Sequence, residues 1–319
     1  MSFSGTYLDA IRTALHDAME ADPSVCLLGE DIGHYGGAFR ATEGLLERFG
    51  EDRVVDTPIA EQAIAGGAIG LALMGQRPVA EFQFLDFALL ASDLIVNFAA
   101  KTRWRWGAGC PVVFRGPVGA GGGGGPFHSQ NPEGHFLPTP GLKVVAPGTV
   151  ADAYALLRAS IDDPDPVLFL EHKFLYRRLK DQWDAPPAAG LGRAALRKEG
   201  RGAVILTYGA VQHRALEAVE GLDVAVLDLR TLKPFDEEAI AEWTQRTHRV
   251  LVLTEAGLPF GPGAELAAWV GEHGFPWLDA PVLRLGSADT PTPASHALEA
   301  AWLPGPERIR AKVEELLAW

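Results

Sequence analysis

Between Pro58 and Gly75 the chain carries one formal charge, Glu61, in the run PIAEQAIAGGAIGLALMG. A helix this apolar is expected to be buried on nearly every side, because surface helices keep a polar face. A carboxyl in its first turn is then held away from water, and complete burial raises a carboxyl pKa by up to about 3–5 units. Such a group takes and returns protons near neutrality, which makes Glu61 a candidate acid/base. Capping of its own helix, or pairing with an arginine, would account for the same residue without chemistry. A second polar cluster, His128, Ser129 and Gln130, closes the run GPVGAGGGGGPFHSQ over residues 116–130. Histidine titrates near neutrality and shuttles protons, although a lone loop histidine is commonly a structural hydrogen-bonding group. Five consecutive glycines without a following Gly-Lys-Ser/Thr exclude a Walker-type phosphate loop.

Other residues invite weaker readings. Glu30 and Asp31 in GEDIGHYGG (29–37) lack a second carboxylate cluster at metal-ligating spacing, so they are expected to orient neighbours or cap helices. FQFLDF (82–87) offers Phe84 or Phe87 just past a strand, to stack on a flat ligand or to pack a core. TRWRWG (102–107) alternates arginine with tryptophan. A helix end at a subunit boundary suits it better than nucleic acid, because a net charge of −13 leaves no concentrated basic surface for phosphates.

The elements that must position these groups follow from periodicity. VCLLG, RVVD, RPVAEF, CPVVFR, KVVAP and PVLFLE read as buried strands, and helical patterns lie near 6–21, 58–74, 87–101 and 149–161. This alternation predicts a parallel sheet covered by helices, with active-site loops beyond the strand C-termini. Residues 181–192, DQWDAPPAAGLG, break the pattern and read as a linker. A second series follows, with strands AVILTYG, DVAVLDLR, HRVLVLTE and APVLRLG and helices near 209–220, 236–245, 261–272 and 305–318. The expected organisation is two α/β/α domains, 1–185 and a smaller 193–319, split near residue 186 with 186–192 as linker. At 319 residues, 47% hydrophobic and 22% charged, the chain has the composition of a globular protein. Cys26 and Cys110 are too few for a disulfide framework or a zinc site, and the N-terminus lacks the pattern of a signal peptide. A cytoplasmic, membrane-free protein is expected, since no apolar run reads as a transmembrane helix.

Taken together, GEDIGHYGGAF, TEGLLERFG, DRVVDTPIAEQAIAGGAIGLALMGQRPVAEFQF, DLIVNFAAKTR, HSQ, PGLKVVAP and PVLFLEHKFLYR resemble the β subunit of the thiamine-diphosphate-dependent decarboxylating component of 2-oxo acid dehydrogenase complexes. LDLRTLKPFDEEAI, TEAGLPFGPGAEL and LDAPVLRLGSADTPTP resemble the same family's C-terminal domain. The resemblance covers almost the whole chain in order. It implies a pyrimidine-binding transketolase-like domain followed by a C-terminal transketolase-like domain. It also implies an enzyme that is active only with an α subunit, in a two-α, two-β heterotetramer. That α subunit holds the cofactor's diphosphate through Mg2+ with a Gly-Asp-Gly motif, which this sequence lacks. The resemblance gives Glu61 the hydrogen bond to the pyrimidine ring nitrogen that activates the cofactor. It gives Phe87 the stacking position, Ile59 a place beside it, and His128 the side facing substrate and lipoyl group. Some members bind potassium through backbone carbonyls at positions matching Val112, Ser160, Asp163 and Asp165. Asp289 and the terminal carboxylate of Trp319 match an acidic surface that docks the lipoyl acyltransferase core.

The chain departs from the family in HSQNPEGHFLPTPGLK. Asn131 and Pro132 replace the usual pair after HSQ, and Pro138 stands where a second histidine is expected, with His135 nearby. The glycine run is expected to stay mobile until the α subunit or cofactor orders it. Competing readings are the β chain of an acetoin-cleaving dehydrogenase and a non-catalytic nucleotide-binding α/β protein. The missing dinucleotide fingerprint counts against the latter.

Overall fold

The computed structural model describes residues 2–185 and 187–319, so the expected split near residue 186 falls on Pro186, outside the described residues. The chain forms two compact units, Met1–Val118 with His135–Leu191, and Gly119–Gly134 with Gly192–Trp319.

In the first unit the elements run β1 (Phe3–Thr6), α1 (Tyr7–Ala21), β2 (Val25–Gly29), α2 (Leu45–Phe49), β3 (Val54–Asp56), α3 (Glu61–Leu73), β4 (Arg77–Glu81), α4 (Thr102–Trp106), β5 (Val113–Val118), α5 (Glu133–Phe136, whose first two residues are assigned to the second unit), β6 (Lys143–Val145), α6 (Val150–Asp162), β7 (Val167–His172) and β8 (Lys180–Trp183). Strands β6-β7-β5-β4-β2-β3 lie side by side in that order, each pair parallel. Strands β2, β5 and β7 are buried at every position, as expected of parallel strands covered on both faces. A capping box starts α1: the Asp9 backbone N–H donates to Thr6 Oγ1, and the Thr6 N–H donates to Asp9 Oδ2 at 2.8 Å. The stretch read as a linker opens with β8, which pairs antiparallel with β1.

Two expectations change here. The region 87–101 is not one α-helix; a 3₁₀ turn (Leu85–Ala91) leads into a π-helical turn (Leu94–Ala99) and then α4. Helix α3 is not buried on every side. Ile64, Ala65, Ala68, Ile69 and Ala72 are buried, but Ala63, Gly67, Gly70, Leu73 and Met74 are exposed. Apart from exposed Gln62 in the first turn, the open face consists of small and apolar residues, so a composition typical of a core lies partly on the surface of this chain.

The second unit contains β9 (Ala195–Lys198), β10 (Ala203–Thr207), α7 (Val211–Ala218), β11 (Val224–Asp228), β12 (Thr231–Lys233), α8 (Glu237–Thr247), β13 (Val250–Gly257), α9 (Pro262–His273), β14 (Leu283–Ser287), α10 (His296–Trp302) and α11 (Pro306–Leu317). Its sheet runs β14-β13-β10-β11-β9, parallel except for the antiparallel edge strand β9. Ile205, Val226, Leu251 and Leu253 pack with Val211, Ile309, Val313 and Leu316 in its core.

Candidate functional site

Strand order fixes where the first unit can bind a ligand. From β2 the chain goes to β3 on one side, then returns to β4 on the other, so the order reverses between β2 and β4. Open α/β sheets bind ligands beyond the strand C-termini at such a switch point. The residues there are Glu30 and Asp31 after β2, the first turn of α3 after β3, and Phe82–Phe84 after β4. The two strands run close, and a Cβ added at Gly29 would lie 2.6 Å from the Glu81 carbonyl.

Glu61 opens α3 and is 8% exposed. Its helix has no side-chain cap at the N-cap residue Ala60, and no arginine pairs with Glu61 among the described residues. Among the described residues no hydrogen bond or ion pair to its carboxylate is found, and its oxygens are not among the fully enclosed unpartnered atoms. Glu30 lies near it and is also buried; its Oε2 has no hydrogen-bond partner among the described residues. Burial first, then the charges of Glu61, Asp31 and Glu81, push the Glu30 carboxyl above the ordinary range. Phe87 is half-buried and meets Phe84 edge-on at 6.1 Å, and Phe84 in turn meets Phe39 at 5.6 Å. Ile59 is 79% exposed.

Beneath this rim, Arg115 on β5 is fully buried between two carboxylates. Its guanidinium donates to both oxygens of Glu171 on β7, the Nη2 bond measuring 2.7 Å, and to Glu81 at the end of β4. Tyr176 completes the group by donating its hydroxyl to Glu171 Oε2 at 2.7 Å. Burial, countered by Arg115 and reinforced by Glu171, lifts the Glu81 carboxyl above its usual range.

His128 belongs to the second unit with the rest of the glycine run, and it is half-buried. The run is tied down rather than loose: Glu255 and Glu299 accept its amide N–H groups. Of the potassium positions, the Val112 carbonyl accepts the Val167 N–H at 3.0 Å, and the Asp163 carbonyl lies 3.4 Å from Arg77 Nη1. The Asp163 carboxylate holds Lys143, and Asp165 pairs with Arg103 at 2.6 Å. Arg115, Glu81, Glu171, Glu255 and Glu299 carry no local sequence signal, since each gains its meaning from partners far away in the chain.

Residues 4–178 match the family described as the transketolase pyrimidine binding domain, and residues 192–309 match the transketolase C-terminal domain. The chain is 44% identical to the 2-oxoisovalerate dehydrogenase subunit beta of Bacillus subtilis (strain 168), with 98% of each chain covered. It is 42% identical to the pyruvate dehydrogenase E1 component subunit beta of Porphyra purpurea, over 97% of this chain and 96% of that one. The chain belongs to the family of 2-oxo acid dehydrogenase β subunits. This family is thiamine-diphosphate dependent, and its members work with an α subunit. A solved structure titled "Split gene transketolase, inactive beta4 tetramer" shares the fold, with a TM-score of 0.80 at 23% identity over 99% of both chains. The β-subunit fold therefore places the switch-point carboxylates in its pyrimidine-binding domain.

Proposed function

We propose that this chain is the β subunit of a thiamine-diphosphate-dependent 2-oxo acid dehydrogenase, which decarboxylates a 2-oxo acid oxidatively and passes the acyl group to a lipoyl group. The observation that carries this reading is Glu61: a buried carboxylate at the switch point with no partner among the described residues. A protonatable ring nitrogen would satisfy it. The residues fit the cofactor's pyrimidine, with Glu61 for the ring nitrogen and Phe87 and Ile59 as apolar surface for its faces. When bound, thiamine diphosphate supplies the carbanion chemistry of decarboxylation. Glu61 would share a proton with that nitrogen, and Glu30 lies beside it, its carboxyl raised by burial and by the neighbouring charge of Glu61. His128 serves the substrate and lipoyl side.

The α subunit brings Mg2+ and the diphosphate site, in a two-α, two-β heterotetramer. The exposed small-residue face of α3, with Ala63, Gly67 and Gly70, supports close approach of a partner helix. Exposed Leu90, Phe98, Trp104 and Trp106 add apolar and aromatic surface. The acyltransferase core docks on the C-terminal domain. Asp289 is exposed there, and Trp319, 65% exposed, lines a groove with Phe275, Leu278 and Arg284. Potassium on the carbonyls of Val112, Ser160, Asp163 and Asp165 would share this turn with Arg77, whose Nη1 also bonds the Ile161 carbonyl at 2.8 Å. Cys26 and Cys110 are free and buried, in keeping with a reducing cytoplasm.

The test is Glu61→Gln in the chain assembled with its α subunit. Folding and assembly are expected to persist while turnover falls about 10²–10⁴-fold. Near-parental turnover would remove Glu61 from the mechanism.

A further inference from the structure

The glycine run is held by carboxylates that lie far along the chain. Glu299, in the first turn of α10 and 2% exposed, accepts the Gly121 N–H at 2.9 Å and the Gly123 N–H at 3.1 Å. Glu255 on β13, also buried, accepts the Ala120 N–H at 2.8 Å and the Asn131 side-chain amide at 3.3 Å. The two carboxylates thus grip one end of the run at three backbone amides and its far side at one side-chain amide. The Thr292 hydroxyl reaches the Ser129 carbonyl at 3.5 Å, and the Gly119 N–H closes the loop on the Gln130 carbonyl at 3.0 Å. Part of the path leaves little room for side chains, although Gly122 faces open space. Gly121 and Gly123 have φ of +100° and +71°. A Cβ on Gly123 would lie 2.9 Å from the His296 ring, and one on Gly124 would lie 2.7 Å from Ser129 Oγ. Glycine here serves close packing, with φ values that other residues adopt at a cost.

We propose that Glu299 and Glu255 are positioning residues: they lock the segment 119–131 so that His128 is presented in one place for acyl transfer. The proposal rests on the role given to His128 above. The chemistry of the clamp is specific to carboxylates. An ionised carboxylate offers acceptors on both oxygens, whereas an amide turns an N–H₂ toward one of the backbone donors. Bonds from backbone N–H to a charged acceptor are also stronger than neutral ones.

The test uses the assembled α/β protein carrying Glu299→Gln, Glu299→Asp or His128→Ala. Three quantities are read: amide hydrogen exchange over 119–131, acyl transfer to a free lipoyl domain, and thiamine diphosphate affinity by calorimetry. In Glu299→Gln, exchange over 119–125 is expected to accelerate about tenfold or more, as local opening becomes easier. The kcat of acyl transfer falls about tenfold because its histidine is displaced, while cofactor affinity stays within about twofold. Glu299→Asp keeps both acceptor oxygens and recovers part of each loss. Unchanged exchange over the loop overturns the clamp. Accelerated exchange with intact acyl transfer overturns the positioning role, as does acceleration spread evenly through α7–α11. Failure of the underlying assignment is seen separately, as a His128→Ala protein with full acyl transfer, and it takes the catalytic part of the proposal with it. If Glu299→Gln does not fold, Asn131→Ala, which removes only a side-chain contact to Glu255, is measured against the same criteria.

Discussion

Arg115→Met tests how the buried charges under the switch point are balanced. The side chain is 1% exposed and the carboxylates it joins are nearly as dry, Glu171 at 0% and Glu81 at 10%. Methionine fills much of the volume but leaves both carboxylates without their cation. Breaking a buried pair from one side costs about 3–5 kcal/mol, because an uncompensated charge stays behind. For a unit of this size each kcal/mol moves Tm by roughly 2–4 °C, so the variant is expected to melt roughly 6–20 °C lower at pH 8. The pH dependence carries a sign. Burial already raises the Glu81 carboxyl above its ordinary 4.5. A raised carboxyl favours the folded state below the unfolded pKa and loses that contribution as pH rises through the folded value. Removing Arg115 deletes the influence that lowers it, so the folded value climbs further. The deficit should therefore be largest at pH 8 and shrink toward pH 5. Scanning calorimetry across that range checks it, with Glu81→Gln added to Arg115→Met as a control that should recover part of the loss. A Tm within about 2 °C of the parent at pH 8, or a deficit that does not shrink on acidification, would refute the reasoning.

Gly70→Leu on the open face of α3 should leave the isolated chain at least as stable, by up to about 1 kcal/mol, since a Cβ there meets nothing within 4 Å and glycine is a poor helix former. Sedimentation should show weaker assembly with the α subunit; parental assembly would clear that face of an interface role. Docking of the acyltransferase core should weaken as salt rises through the physiological range, and further with Asp289→Ala, because exposed charges are screened within about 10 Å. Surface plasmon resonance at two salt concentrations measures this, and salt-insensitive docking that ignores the substitution would be the contrary result. Burial pushes the Cys110 thiol up to about 11. Maleimide labelling at pH 8 should therefore leave Cys110 unmodified in the native protein and label it only in denaturant, as mass spectrometry would show.

Much of the architecture is legible in the sequence, because strands such as VCLLG and PVLFLE are apolar at every position and the helices between them are amphipathic. The exceptions have local causes. Strands β1 and β8 are short and partly exposed, so they lack the apolar run that marks a strand. The face of α3 reads as core because small apolar residues look alike whether the neighbour is the same chain or another. The glycine run reads as slack, since composition reports backbone freedom and not the carboxylates that restrain it from residues 255 and 299. Glu61 stands out as a lone charge among apolar residues. Arg115 lies inside the ordinary strand β5 and becomes informative only when Glu81 and Glu171 flank it.

The restraint of the glycine run also sets a schedule for the ribosome. The Ala120 amide emerges 135 residues ahead of Glu255, and the Gly121 amide 178 residues ahead of Glu299. At about 5–20 residues per second, the run waits roughly 7–36 s before its acceptors exist. During that interval the neighbouring strands β5, β6 and β7 are complete, while a flexible stretch between β5 and β6 stays open to proteases and chaperones. Slow codons downstream of residue 192 would lengthen the exposure, and a chain released before α10 would leave the Gly121 and Gly123 amides without their acceptor.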